Sequence, residues 1–290
     1  MLKKKLKKAG YFGLGLLLLV PFGGSIKLNS ARTNQEGIIE PWHQNPVGNN
    51  SDTTDLGTTP VDASGNLVST DALAAKANAP MIPLNKHEAK FIKGYLQQEE
   101  EYLKAIKAKS SPYFRLIDSV FNKFGLPLQL RYLAVVESQL DPTAVSHAGA
   151  KGLWQLMPST ARDFGLKVNQ KHDERTLHLK CTVAAAKYIK SLYAQFGDWI
   201  VTVAAYNSGS GSIFSAIRKA GSRNFWAMAP YLPFETRSHV KRFIATHYFF
   251  EGKGSMVTLT KKETEEYKKS LASFIEEQTD AAVDSSLAEK

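Results

Sequence analysis

Glu137 interrupts an apolar run. Residues 130–136 read Leu-Arg-Tyr-Leu-Ala-Val-Val, and the acid that follows lies about one turn ahead of Pro142. The residue before a proline is pushed out of helical geometry, so the helix carrying Glu137 is expected to stop by Asp141. A carboxylate near that end meets the negative pole of the helix dipole, and Leu133, Ala134, Val135 and Val136 offer it little solvation. Both effects favour the neutral carboxylic acid, the state a general acid must hold. The competing reading is a surface glutamate paired with Arg131 or another base.

Asp141 is the nearest second carboxylate. A retaining glycosidase holds two carboxyls roughly 5–5.5 Å apart, which would make Asp141 a nucleophile or base. An Asp before Pro more commonly starts a turn. Beyond it, Ser146, Gly149 and Gly152 allow backbone to approach a ligand closely, or they form a plain connecting loop. Trp154 and Gln155 add a flat face and an amide, which suit sugar rings and hydroxyls, although Trp154 is equally suited to a core. Tyr206-Asn207-Ser208-Gly209 gathers three polar side chains at a helix end, where they serve either a ligand or a cap.

Other chemistries fit poorly. His147, His172, His178, His239 and His247 lack the spacing of a metal site. Neither a cofactor nor a metal is expected. Ser138 and Ser159 lack the strand–elbow–helix setting of a serine hydrolase, and no glycine-rich phosphate loop is present. Cys181 is the only cysteine, which excludes an intrachain disulfide, and its apolar neighbours point to a buried, inert thiol.

The elements that must position these groups read as helices. Asn85 can cap a helix with Glu88 at its third position, and Phe91, Tyr95, Tyr102 and Ile106 recur at helical spacing. Ser111-Pro112 opens a second helix bearing Phe114, Ile117, Val120, Phe121 and Phe124, closed by Gly125. Pro158 to Phe164 is short. Thr176 to Phe196 is long, with Leu177, Val183, Ala184, Tyr188, Leu192 and Phe196 on its core side. Asp198 caps the next helix, which ends at Ser208-Gly209; Ile213 to Lys219 and Phe225 to Leu232 are short, and Pro233 opens a last helix through Phe250. Only Met256 to Thr260 offers a short β segment. The fold class is all-α, about eight helices, with the domain spanning 82–256 and a charged C-terminal tail over 257–290.

The N-terminal part is different in kind. Residues 1–25 pair a lysine-rich head with an apolar run of about twelve residues, shorter than the roughly 20 that span a bilayer. They read as a signal peptide or an N-terminal membrane anchor, with membrane association through residues 1–22 in the second case. Either implies export, to the periplasm or cell envelope. Residues 26–81, rich in Asn, Ser, Thr, Asp and Gly, form a low-complexity linker; Trp42 and His43 within it have no partners in spacing. Of the formal net charge of +10, the stretch 81–260 carries 24 Lys+Arg against 13 Asp+Glu. A basic domain with acidic flanks suits an anionic partner. No nucleic-acid recognition motif is present, so nucleic acid is not the partner expected.

Four motifs in order resemble the lytic transglycosylases of the lysozyme-like superfamily, glycoside hydrolase family 23, and within it the membrane-bound lytic murein transglycosylase D type. Glu137-Ser138 is similar to the family's catalytic Glu-Ser. Gly152-Leu153-Trp154-Gln155-Leu156-Met157-Pro158, with Thr160-Ala161, resembles Gly-Leu-x-Gln-x-Met-Pro-x-Thr-Ala. Ala205-Tyr206-Asn207-Ser208-Gly209 resembles Ala-Tyr-Asn-x-Gly, and Leu232-Pro233-Phe234-Glu235-Thr236 resembles Leu-Pro-x-Glu-Thr. The family continues the last motif with Tyr-Val, where this chain has His239-Val240.

The resemblance implies a lysozyme-like fold of the goose-type lysozyme and soluble transglycosylase kind, its helices set around a substrate groove. It implies non-hydrolytic cleavage of the β-1,4 bond between N-acetylmuramic acid and N-acetylglucosamine in peptidoglycan glycan strands, leaving 1,6-anhydro ends. Glu137 would act as acid and then as base. Ser146 and Gln155 would hydrogen-bond N-acetyl or neighbouring sugar groups, Met157 would line the groove, and Tyr206 and Asn207 would position the reacting sugar. Ser138 and Glu235 would support the site. A lysozyme-type hydrolase on the same fold, or a catalytically weak wall-binding protein, are the alternatives.

Overall fold

The computed structural model describes residues 80–82 and 88–288. The leader or anchor at 1–25, most of the linker at 26–81 with Trp42 and His43, and the Asn85 cap lie outside the described residues.

Nine α-helices follow one another in the described part. They are α1 (Ala89–Lys109), α2 (Ser111–Phe124), α3 (Tyr132–Ser138), α4 (Pro158–Asp163), α5 (His178–Phe196), α6 (Trp199–Ala220), α7 (Phe225–Met228), α8 (Phe234–Glu251) and α9 (Lys261–Ala288). Short 3₁₀ turns fill several joints, and the only strand-like pairings among the described residues are isolated bridges. The all-α expectation holds. Glu88 stands just before α1, not inside its first turn.

The elements follow from local chemistry. Gly125 and Gly197 end α2 and α5 as their positions in sequence suggest. Asp198 caps α6, its Oδ1 accepting from the Val201 N–H at 3.0 Å. Its Oδ2 also accepts from the Lys261 N–H at 2.6 Å, so one carboxylate serves the starts of both α6 and α9. Helix α6 continues from Trp199 to Ala220, where the sequence suggested two helices. The division survives as a kink at Gly209, whose φ of 77° and ψ of 155° leave helical space.

One apolar core unites these helices. Ile117 and Phe121 from α2, Leu133 and Ala134 from α3, Ala185 and Ile189 from α5, Val203 from α6 and Phe243 and Ile244 from α8 are buried together. The Ile, Leu, Val and Phe side chains among them contribute about 1.5–3 kcal/mol each on burial. Because α3 is buried along Tyr132 to Val135, the polar group at its end is held by surroundings that cannot easily move.

Two expectations need correction. Met256–Thr258 is a 3₁₀ turn, not a β segment: Ser255 and Thr258 form a reciprocal capping box that tightens the chain. The stretch after 256 also packs more closely than a peripheral tail. Val257 lies in the core, Leu271 of α9 is buried, and the Tyr267 hydroxyl donates to the Pro80 carbonyl at 3.1 Å.

Candidate active site

Glu137 sits in the last turn of α3, and its side chain is 14% exposed. The chain then turns sharply. Gln139 and Leu140 both adopt left-handed φ of 61°, and Leu140 is buried. Such conformations cost about 1–2 kcal/mol per non-glycine residue, so the helix stops at Ser138, earlier than Pro142 alone requires. Arg131 does not reach Glu137: its Nη1 donates to Asp118 Oδ2 at 2.7 Å and its Nη2 lies 3.4 Å from Glu251 Oε1. The pairing of Glu137 with Arg131 is thereby removed.

The partner Glu137 does have comes from α8. Nε2 of His239 lies 2.9 Å from Glu137 Oε1, and the His239 side chain is 3% exposed. Two phenols also lie within electrostatic reach of the acid. Burial raises the pKa of Tyr206, and the Glu137 carboxylate adds to that rise. Tyr188 of α5 responds the same way, through burial and then Glu137. The rings of Tyr188 and Tyr206 pack at 5.1 Å between centroids. Tyr188 was legible only as a core position of α5; its spacing carries no sign of the acid beside it.

The loop 144–157 forms the facing wall. The Ser146 N–H donates to the Ala150 carbonyl at 2.9 Å, and Ser146 Oγ accepts from the Ala150 N–H at 3.0 Å. The hydroxyl proton of Ser146 therefore stays free to donate. Gln155, with φ of 45°, turns its Nε2 to the carbonyls of Ala144 (3.1 Å) and Gly152 (2.9 Å). Its amide oxygen is the group left for a ligand. Met157 is half-buried at the start of α4.

Arg175 fixes this wall from behind. Its Nη1 donates to the carbonyls of Gly149 (2.7 Å) and Leu156 (2.9 Å), while Nε and Nη2 grip Asp173 at 2.9 and 2.8 Å. That grip, with Lys151 Nζ at 3.2 Å, holds the Asp173 carboxyl well below the usual carboxylate range. Gly152 sits against the same residue: a Cβ there would lie 2.0 Å from the Arg175 carbonyl oxygen. Ordinary spacing rules give no sign of Arg175 or Asp173 as loop anchors.

The remaining candidates divide by role. Ser138 Oγ donates to the Leu153 carbonyl at 2.8 Å, joining α3 to the loop. Tyr206 donates its hydroxyl to the Trp154 carbonyl at 2.7 Å and is nearly buried. Asn207 Oδ1 accepts from Thr236 Oγ1 at 2.9 Å, which leaves its amide N–H groups available. Trp154 is no sugar platform: it is 0% exposed, and its Nε1 donates to Thr182 Oγ1 at 3.0 Å. Glu235 is exposed and makes no side-chain hydrogen bond or ion pair among the described residues; the contact tying α8 to α6 is made by Thr236. Asp141 accepts at Oδ1 from the N–H and hydroxyl of Thr143 at 2.8 and 2.7 Å, bonds that lower its pKa and commit it to a turn. Cys181 is buried, and its thiol is pushed up to about 12.

The described residues contain no group of three His, Cys, Asp or Glu able to hold a metal, and no helix among them is long and apolar enough to cross a membrane. The arrangement is thus one partly exposed carboxyl, held by an imidazole, within electrostatic reach of two phenols, and joined through Ser138 to a loop with a free hydroxyl and amide oxygen.

Comparison with known proteins gives this arrangement a family context. Residues 118–229 match the model of the transglycosylase SLT domain. The membrane-bound lytic murein transglycosylase D of Escherichia coli strain K12 is 37% identical over 169 residues, 57% of this chain and 37% of that protein. A peptidoglycan transglycosylase, gp16, of Escherichia phage T7 is 35% identical over 100 residues, 34% of this chain and 8% of its own length. Among solved structures, the 70 kDa soluble lytic transglycosylase of Escherichia coli is similar with a TM-score of 0.45 and 21% identity, covering 67% of this chain and 34% of that one. The chain spans little more than a third of the membrane-bound relative it matches.

Proposed function

We propose that the chain, whose residues 118–229 match the transglycosylase SLT domain, is a peptidoglycan lytic transglycosylase in which Glu137 is acid and then base. It cleaves the β-1,4 bond between N-acetylmuramic acid and N-acetylglucosamine. Protonated Glu137 gives its proton to the glycosidic oxygen as the bond from C1 to that oxygen breaks. The 2-acetamido group of the muramic acid residue stabilises the cationic C1. The resulting Glu137 carboxylate then takes the proton of the C6 hydroxyl, whose oxygen bonds to C1 and closes a 1,6-anhydro ring. One residue serves both steps by microscopic reversibility, and substrate assistance replaces the second carboxylate of the usual pair.

The observation that carries this reading is the isolation of Glu137 as the one carboxyl of the site. Asp141, the nearest alternative, is engaged by Thr143 and exposed. Around the acid, the Ser146 hydroxyl, the Gln155 amide oxygen and the Asn207 amide are suited to N-acetyl and hydroxyl groups. Tyr206 acts by fixing the loop through Trp154, and Met157 contributes an apolar edge. The basic domain suits a wall polymer whose stem peptides carry carboxylates. Export through residues 1–25 and an envelope location complete the proposal, in keeping with the membrane-bound relative in Escherichia coli.

The test is mass spectrometry of digested peptidoglycan. Anhydro-terminated fragments are expected; fragments heavier by one water would replace the transglycosylase with a lysozyme-type hydrolase. Glu137→Gln is expected to lower turnover by about 10²–10⁴-fold while binding to sacculi persists.

A further inference from the structure

His239 is more than a neighbour of the acid. Its imidazole is buried to 3% exposure, its Nε2 lies 2.9 Å from Glu137 Oε1, and its Nδ1 is buried with no hydrogen-bond partner among the described residues. These facts together select one protonation state. An imidazolium would place an N–H at Nδ1 with nothing to accept it, and so would the neutral tautomer protonated there. A buried donor left unmade is the costlier defect, whereas an unpaired acceptor nitrogen is tolerated more often. The neutral tautomer protonated at Nε2 is the one that satisfies the geometry.

We infer that His239 is a positioning residue for Glu137, donating its Nε2–H to Oε1 and so directing the acidic proton to Oε2. With Oε1 occupied as an acceptor, a proton on the carboxyl resides on the opposite oxygen. The same bond stops the carboxyl from rotating and keeps Oε2 in one place for both proton transfers. The link spans two elements: Glu137 ends α3, and His239 lies in the second turn of α8. Thr236, one turn earlier on α8, is bonded to Asn207 of α6, so the helix bearing the imidazole is itself fixed to the site. This inference rests on the proposal that Glu137 is the acid.

The experiment compares His239→Phe, which keeps a buried ring without the donor, with His239→Gln, which keeps a donor nitrogen at a similar reach. Steady-state kinetics on soluble peptidoglycan strands would be read beside thermal unfolding and Glu137→Gln. The Phe variant is expected to lose about 10²-fold in kcat, the penalty of a misaligned reacting group, with KM within about twofold. The Gln variant is expected to recover at least about tenfold of that loss, since the hydrogen bond to the carboxyl is restored. An unchanged kcat in the Phe variant, or a raised KM at constant kcat, would overturn the inference. So would a Gln variant no better than Phe when both unfold at the wild-type temperature.

Nitrogen NMR of the imidazole gives a check that survives even if the Phe variant does not fold. A proton on Nε2 and none on Nδ1 is expected in the wild type; the reverse tautomer or an imidazolium refutes the assignment. Activity in Glu137→Gln would instead remove the acid reading beneath it. An inert Glu137→Gln beside an unimpaired His239→Phe would remove the positioning role alone.

Discussion

The hydroxyl of Ser138 donates to the Leu153 carbonyl at 2.8 Å, tying the residue after the acid to the loop that faces it. Both groups are buried. Ser138→Ala leaves the carbonyl unpaired in an apolar setting, a loss of about 1–3 kcal/mol. The loop also becomes free to move away from Glu137. We expect the unfolding midpoint in urea to fall and turnover on peptidoglycan to fall at least about tenfold, since small misplacements of substrate-holding groups are costly. Full activity in Ser138→Ala would mean that Arg175, Gln155 and Tyr206 hold the loop without it.

Gly152 has no room for a side chain. A Cβ would stand 2.0 Å from the Arg175 carbonyl oxygen, and the φ of 82° disfavours any L-residue. The obstruction is backbone, which cannot swing aside as a side chain would. Gly152→Ala is therefore expected to cost more than about 4 kcal/mol, in the range reserved for a named steric defect. Circular dichroism melts would show it. Gly149→Ala, where no atom stands within 4 Å of the new Cβ, should be much milder despite its positive φ. Equal losses at the two positions would show that φ alone, not the approach of Arg175, sets the requirement.

Gln139 offers a change in the opposite direction. It is exposed and left-handed at φ 61°, so its side chain adds little burial while its backbone is strained. Gln139→Gly relieves about 1–2 kcal/mol of that strain and gives back part of it through the greater freedom of the unfolded chain. A net gain of about 0.5–1 kcal/mol should raise the melting temperature by about 2 °C. A lower melting temperature would show that the Gln139 side chain contributes more than its exposure indicates.

The legible part of this protein was the part written locally. Gly125, Gly197 and Asp198 mark helix ends by their own chemistry, and the structure keeps those ends. Glu137 stood out because a charge inside an apolar run has few other uses. Its neighbours were legible only in part, because tertiary contacts decide which end of a side chain remains free. Gln155 and Tyr206 are polar in sequence, yet their amide nitrogen and hydroxyl are engaged by backbone carbonyls. Trp154 looked suited to a sugar, but its ring is needed against Phe121, at 5.6 Å between centroids. Tyr188 has the spacing of a core residue and stands beside the acid all the same. Thr258 and Thr260 alternate with Val257 and Leu259 as in a strand, and the Ser255 capping box overrides that pattern. His239 meets Glu137 across 102 positions, a separation at which no periodicity can report.

His247 makes stability depend on pH away from the active site. It is fully buried on α8, its Nε2 lies 2.7 Å from Ser255 Oγ, and burial lowers its pKa from 6.5 to about 4. The unfolded chain therefore binds a proton that the folded protein refuses throughout the interval between those values. Stability must fall as pH drops through that window, because the unfolded state binds more protons there. A depression of this size corresponds to about 3 kcal/mol, most of it lost by pH 4 and the remainder just below. Asp173 adds a second loss only in stronger acid, since its carboxylate is held by Arg175 until protonated. Urea titrations at intervals between pH 7.5 and pH 4 should show the decline beginning near the ordinary histidine pKa. In His247→Gln, which carries no titratable proton, that part of the slope should vanish even if the variant is less stable overall. A slope that persists unchanged in His247→Gln would assign the acid sensitivity to another group.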